Sequence, residues 1–181
     1  MSASPNSISR ERGSGLIVVI MIVAFMLAVG MLLLTVTGVS PRASDSLRLQ
    51  GMAFDAAEAG FDSSWAVINE AFISHAWESF AGQYRTTFDG AEGFDDPNSP
   101  VYFRKLTDAQ IVADIEADPT GALFVSQVVT SDPRCAFTVF LVPDEAPNTI
   151  PVDDRDCLMV CIGRGPRNTY KRLEIVLEVG S

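Results

Sequence analysis

The sequence predicts an α+β fold in which one long N-terminal helix packs on a small antiparallel β-sheet. Three observations support this prediction. An uncharged apolar run of helical length lies near the start of the chain, and apolar side chains at helical spacing follow it. The last third of the chain contains four segments with the composition of strands.

The apolar run LIVVIMIVAFMLAVGMLLLTVTGV covers Leu16–Val39 and contains 24 residues. As an α-helix it would be ~36 Å long, whereas the hydrocarbon core of a bilayer is ~30 Å thick. A secretory signal has an apolar region of only ~7–15 residues, so a retained transmembrane helix is favoured. Arg10 and Arg12 precede the run and indicate a cytoplasmic N-terminus. The residues assigned to membrane anchoring and assembly are Leu16, Ile17, Val18, Phe25, Leu32 and Leu33.

A second helical pattern follows Pro41. Its apolar positions are separated by seven, seven, four, three and four residues, which is typical of one helix face: Leu47, Phe54, Phe61, Trp65, Ile68 and Phe72. We expect this face to pack on the protein's own domain, as far as about Trp77. Gly38–Pro41 suggests an interruption, after which Ser44 or Asp45 would cap a second start.

The remaining sequence predicts a loop region and then a sheet. Turn-forming residues are dense in Gly82–Pro100. Five side chains of this region carry oxygen atoms that could bind calcium: Asp89, Glu92, Asp95, Asp96 and Asn98. Because they lack the spacing of an EF-hand loop, we interpret the region as solvated turns and predict no metal site. The predicted strands form an antiparallel meander half covered by the helix: Ala122–Thr130, Cys135–Val142, Cys157–Ile162 and Thr169–Val179.

The charge, histidine and cysteine content restricts the function. A net charge of -10 argues against nucleic-acid binding. His75 is the single histidine, and no sequence pattern for nucleophilic catalysis or cofactor binding is found, so we expect neither an enzyme nor a cofactor. A hairpin of the second and third strands would bring Cys135 near Cys161, and we hold a disulfide between them and a set of reduced thiols as alternatives.

The start of the chain resembles a known family. The sequence RERGS followed by the apolar run resembles the class III signal of type IV prepilins. In that family a dedicated peptidase cuts after the glycine, and the new N-terminus is methylated. The resemblance implies cleavage between Gly13 and Ser14, with a cut after Gly15 as the alternative. The segment AFDAAEAGFDSSW resembles minor pilins of the PilX type, and the matching residues are Ala53, Ala56, Ala57, Glu58, Ala59 and Gly60.

One position departs from the family pattern. Most major pilins carry a glutamate five residues after the scissile glycine, and this chain has Val18 there. In the family that carboxylate is thought to neutralise the amino terminus of a neighbouring subunit. In lacking this glutamate, the chain resembles the subunits that start a filament or cap its tip. The resemblance therefore favours a minor role over a major one.

The resemblance implies a leader at 1–13, a transmembrane and assembly helix at 14–41, an amphipathic continuation at 42–77 and a pilin-like domain at 78–181. It implies a single-pass protein of the bacterial inner membrane, with its domain in the periplasm, that later enters a pilus or pseudopilus. The expected partners are other pilins or pseudopilins, the inner membrane, prepilin peptidase and the filament assembly machinery. The alternatives are a single-pass membrane protein with an extracytoplasmic binding domain and an anchored enzyme that uses His75 or the cysteines.

Overall fold

The computed structural model describes residues 11–144 and 154–179, and the side chains of residues 11–14 and 35–43 lie outside that description. The helices are α1 (Glu11–Ile73) and α2 (Asp108–Ala117). The strands are β1 (Thr87–Phe88), β2 (Ala91–Glu92), β3 (Ala122–Val129), β4 (Asp132–Pro143), β5 (Asp156–Gly165) and β6 (Thr169–Glu178). The chain divides into two compact units between Ser46 and Leu47, and α1 contributes residues to both.

Helix α1 differs from the prediction at two points. The backbone is helical through Gly38–Pro41, so the second start at Ser44 or Asp45 does not occur. The helix ends at Ile73 rather than near Trp77. His75 has a φ of 54°, in the left-handed region, where the backbone cannot continue a right-handed helix.

The predicted antiparallel meander is confirmed. The larger sheet has the strand order β3-β4-β5-β6, and each strand is antiparallel to its neighbours. Val139 of β4 pairs with Cys161 of β5, and Met159 of β5 pairs with Ile175 of β6. The fold is therefore α+β, with α1 packed on a four-stranded sheet in the second unit.

Both faces of the sheet are covered, whereas the sequence predicted one covered face. Because side chains alternate along a strand, β4 and β5 supply two cores. Phe137, Val139 and Met159 pack with Ala57 and Ile68 of α1. The opposite core contains residues of β4, β5, α2 and the preceding loop: Phe94, Phe103, Ile111, Val112, Ile115, Phe140, Val142, Leu158, Val160 and Ile162.

Helix α2 was missed in the sequence, although its start has a capping box. The Thr107 hydroxyl oxygen accepts a hydrogen bond from the backbone N–H of Gln110. In return, the side-chain oxygen of Gln110 accepts one from the backbone N–H of Thr107. An ion pair between the buried Arg85 and the largely buried Asp114 joins the segment after α1 to α2, since Arg85 Nη2 lies 2.6 Å from Asp114 Oδ2. Arg85 also donates to the carbonyl oxygens of Asp118 and Thr120.

The acidic loop forms turns, as predicted. Thr87 pairs with Glu92 in the β1–β2 hairpin. The Asp96 carboxylate accepts hydrogen bonds from the backbone and side-chain nitrogens of Asn98. Within residues 11–144 and 154–179, no group of three His, Cys, Asp or Glu residues is placed to hold a metal ion.

Candidate functional site

The apolar part of α1 is the first element of the candidate site. Gly15–Leu34 has a mean hydropathy of 3.2, and none of it is buried inside the protein. The six residues assigned to anchoring and assembly all have exposed side chains: Leu16, Ile17, Val18, Phe25, Leu32 and Leu33. By length and composition this helix is able to cross a membrane, a property that it shares with signal sequences. Gly13 and Ser14 fall within α1, but the structure does not describe their burial or the surroundings of the Ser14 side chain.

The segment AFDAAEAG supplies the second element, a face of small residues on α1. Ala53, Ala56, Ala57 and Gly60 are buried, whereas Glu58 is exposed and Ala59 is half-buried. Ser64 continues the buried face toward the end of the helix. The small residues thus face the helix's own sheet, and this agrees with the intramolecular packing expected for the amphipathic part of α1.

Glycines on β5 explain why this face must be small. A Cβ atom on Gly163 would lie 2.0 Å from the Ala53 carbonyl oxygen and 2.5 Å from the Ala57 nitrogen. A Cβ on Gly165 would lie 3.2 Å from the Ala53 nitrogen. The backbones of α1 and β5 are therefore in direct contact, and a larger side chain on either element would separate them.

The predicted apolar stripe is wrong for half of its members. Ile68 is buried and Phe61 and Phe72 are half-buried, but Leu47, Phe54 and Trp65 are exposed. The physical reason is the close approach at Gly163, since only alanine, glycine and serine side chains fit between the two backbones. Leu47, Phe54 and Trp65 lie on the neighbouring flank of α1 and not on its buried face.

The Cys135–Cys161 disulfide is not formed, and all three cysteines are free and buried. Cys161 pairs with Val139, which lies four residues along β4 from Cys135. At ~3.3 Å per residue this offset is ~13 Å, whereas disulfides need Cα atoms within ~7 Å. Burial raises the pKa of the Cys157 and Cys161 thiols to about 12, and it also raises the pKa of Cys135.

No model of a protein family, no curated protein and no solved structure matches the chain. The family resemblance of the sequence is therefore supported by the fold alone. The N-terminal part of α1 is apolar, and its longer C-terminal part packs on a four-stranded antiparallel sheet. This arrangement is consistent with a pilin.

Two adjoining cavities of the second unit lie beside α1. An open cleft of about 620 Å³ separates α1 from the β3–β4 hairpin, and its lining includes Asp62, Phe124, Val128 and Phe137. Cys135 lines a smaller adjoining cavity of about 140 Å³. His75 is exposed just after α1, and these two cavities do not include it.

Sequence reasoning missed two residues that position these elements. Gly163 and Gly165 lie beyond the predicted strand Cys157–Ile162, but both belong to β5 and contact α1. Their alternation in the segment CIGRG places them on one face of a strand, which is the pattern that could have identified the contact. The buried Arg85–Asp114 pair has no comparable sequence signature.

Proposed function

We propose that the chain is a minor pilin of the PilX type, a subunit of a type IV pilus or a related filament. The observation that carries the proposal is the single helix α1. Its first part is apolar on all sides, and its second part packs on the sheet through the AAEAG face. In this proposal the apolar helix exchanges lipid contacts for contacts with other pilins or pseudopilins when the subunit leaves the inner membrane.

Val18 supports a minor role over a major one. A carboxylate at this position would need a positively charged partner in the filament core, because an unpaired buried charge is costly. A subunit with valine there requires no such partner. It fits a site that starts or caps a filament, where one neighbour is absent. Prepilin peptidase and the filament assembly machinery are its further proposed partners.

We also propose that the protein is not an enzyme. The thiols of Cys157 and Cys161 have a pKa of about 12, so almost none is present as the nucleophilic thiolate near neutral pH. His75 is exposed at the end of α1, and the cysteines are buried under the sheet face that α1 covers. Alanine at His75 and at the three cysteines is expected to leave the filament phenotype unchanged.

The mass of the N-terminal peptide tests the proposal. We expect a peptide that begins at methylated Ser14 in membranes from cells with prepilin peptidase, and an uncut chain in cells without it. Gly13→Val should block cleavage, and the matched variant Gly15→Val should not. A Cβ on Gly15 would meet no atom within 4 Å, so that control introduces no clash.

An anchored binding protein is the alternative, and the cleft of about 620 Å³ between α1 and the β3–β4 hairpin is the observation that favours it. This alternative predicts an intact N-terminus in both strains. That result would remove the filament proposal, and the cleft would become the site to examine.

A further inference from the structure

An exposed apolar ridge lies on α1 within the second unit. We define it by Leu47, Phe54, Phe61 and Trp65, whose positions fall within about 40° of one another around the helix axis. Leu47 is 69% exposed, Phe54 41% and Trp65 50%, while the half-buried Phe61 ring stacks on Trp65 with centroids 6.4 Å apart. Large apolar side chains in one exposed line are typical of a surface that another molecule covers.

Carboxylates follow the ridge on its solvent side. Glu58 and Asp62 are exposed, and each lies three or four residues from a member of the ridge. Asp55 is also exposed, but it lines the cavity on the β3–β4 side of α1. Between Leu47 and Ile73, α1 carries four carboxylates and one cation, Arg48. Strand β6 adds one further cation, Lys171, on the sheet face that carries Leu173, so the four carboxylates of this part of α1 still outnumber the two cations.

An apolar hollow adjoins one end of the ridge. It has a volume of about 150 Å³ and lies between Trp65 and Phe72 of α1, Leu177 of β6 and Val179, which directly follows β6. A hollow of this kind accepts a single apolar side chain from a helix that lies along the ridge. The surface therefore combines an apolar line, an anchoring hollow and an acidic border.

We propose that the ridge binds an amphipathic helix of another protein whose apolar stripe is flanked by lysine or arginine. Charge complementarity selects this partner. The α1 helix of a second copy would oppose carboxylates with carboxylates, and its one cation in this part is Arg48. The acidic border also disfavours an anionic lipid surface. The proposal does not require filament assembly, because an anchored binding protein would expose the same ridge.

The test uses the full chain in a nonionic detergent and a synthetic amphipathic peptide of about 18 residues with lysines and arginines beside a leucine stripe. Trp77→Phe leaves Trp65 as the only tryptophan, so its emission reports binding at the ridge. We expect saturable binding that weakens as salt rises. A peptide with glutamates in place of the cations should not bind.

Paired variants locate the site. Glu58→Lys/Asp62→Lys should weaken binding by about tenfold or more at low salt, because attraction is replaced by repulsion at two positions. The control Glu92→Lys/Asp118→Lys makes the same change in net charge at exposed positions off the ridge and should leave binding unchanged. Phe54→Ala should weaken binding at every salt concentration. Near-UV circular dichroism establishes that each variant is folded.

Three results would overturn the inference. The first is the lack of specific binding, meaning either that the basic peptide does not bind or that both charge-reversal variants weaken its binding equally. The second is concentration-dependent dimerisation that Phe54→Ala abolishes, which would make a second copy the occupant. The third is quenching of Trp65 by brominated anionic lipid in vesicles that the basic peptide does not compete away. None of these results changes the N-terminal mass, so the proposed function is tested separately.

Discussion

Replacement of Gly163 by alanine tests the contact between α1 and β5. The backbone of Gly163 is not in the left-handed region, so alanine is conformationally acceptable there. The effect of Gly163→Ala therefore comes from space alone. The added Cβ would lie 2.0 Å from the Ala53 carbonyl oxygen and 2.5 Å from the Ala57 nitrogen, and both are backbone atoms.

The size of the effect follows from what can move. Inserting one extra carbon into a packed core typically costs ~1–3 kcal/mol, and more where neighbours cannot rotate away. Backbone atoms of a helix have no alternative rotamer, so α1 must separate from the sheet. We expect Gly163→Ala to lower the free energy of unfolding by about 3 kcal/mol or more, which is a fall in Tm of roughly 6–12 °C for a chain of this size.

Two other glycines in the same protein provide matched controls. A Cβ on Gly51 would meet no atom within 4 Å, so Gly51→Ala should stabilise α1 by up to ~1 kcal/mol through helix propensity. A Cβ on Gly60 would lie 3.1 Å from the Phe137 ring and from Val139 Cγ2, which are side-chain atoms able to shift. Gly60→Ala should fall between the other two variants.

The assay is urea unfolding of the full chain in detergent, followed by near-UV circular dichroism, which reports tertiary packing rather than the apolar helix. The expected order of stability is Gly51→Ala, then Gly60→Ala, then Gly163→Ala. If Gly163→Ala unfolds at the same urea concentration as the unchanged chain, α1 and β5 are not in backbone contact. An equal loss for Gly51→Ala would show that glycine replacement acts through something other than space.

The remaining predictions concern the buried ion pair and the thiols. Arg85→Met should lower the free energy of unfolding by about 3–5 kcal/mol, because it leaves the Asp114 carboxylate without its buried partner. The control Arg134→Met removes one member of an exposed ion pair and should leave stability nearly unchanged in the same urea titration. Equal losses for the two variants would contradict this prediction. Folding raises the pKa of Cys157 and Cys161 from the usual 9.0 to about 12, so each thiol contributes stability below pH 9 that is lost as pH rises toward 12, at about 1.4 kcal/mol per pH unit. Alanine at both cysteines should make the alkaline loss of stability shallower, and an unchanged slope would show that other groups cause it.

The strands were predictable because their signals are local. Thr169–Glu178 alternates apolar and polar side chains, as expected for an edge strand with one packed face. The continuous apolar runs of β4 and β5 predicted strands, and the structure shows why they do not alternate: α1 covers one sheet face and α2 the other. The short helix α2 was missed because its ten residues supply only three buried apolar positions, Ile111, Val112 and Ile115, which is a short pattern to recognise in a sequence.

The candidate site was predicted in part. The AAEAG segment was placed correctly on an amphipathic helix, but periodicity alone selected the larger apolar side chains as the buried face. That choice follows the usual rule that large apolar residues are inside. It failed because the opposing strand has glycines at Gly163 and Gly165, and the width of the available space is a property of two elements together.

The sequence by itself determined that Leu16–Val39 is an apolar helix, that a helical pattern continues after Pro41 and that a β-meander forms in the last third of the chain. Each of these depends on composition and spacing within one segment. Only the tertiary structure decided which face of α1 is buried, that Phe54 and Trp65 remain exposed, and that Arg85 meets Asp114. These depend on the distance between segments far apart in the chain, and backbone contact at Gly163 sets that distance for α1 and β5.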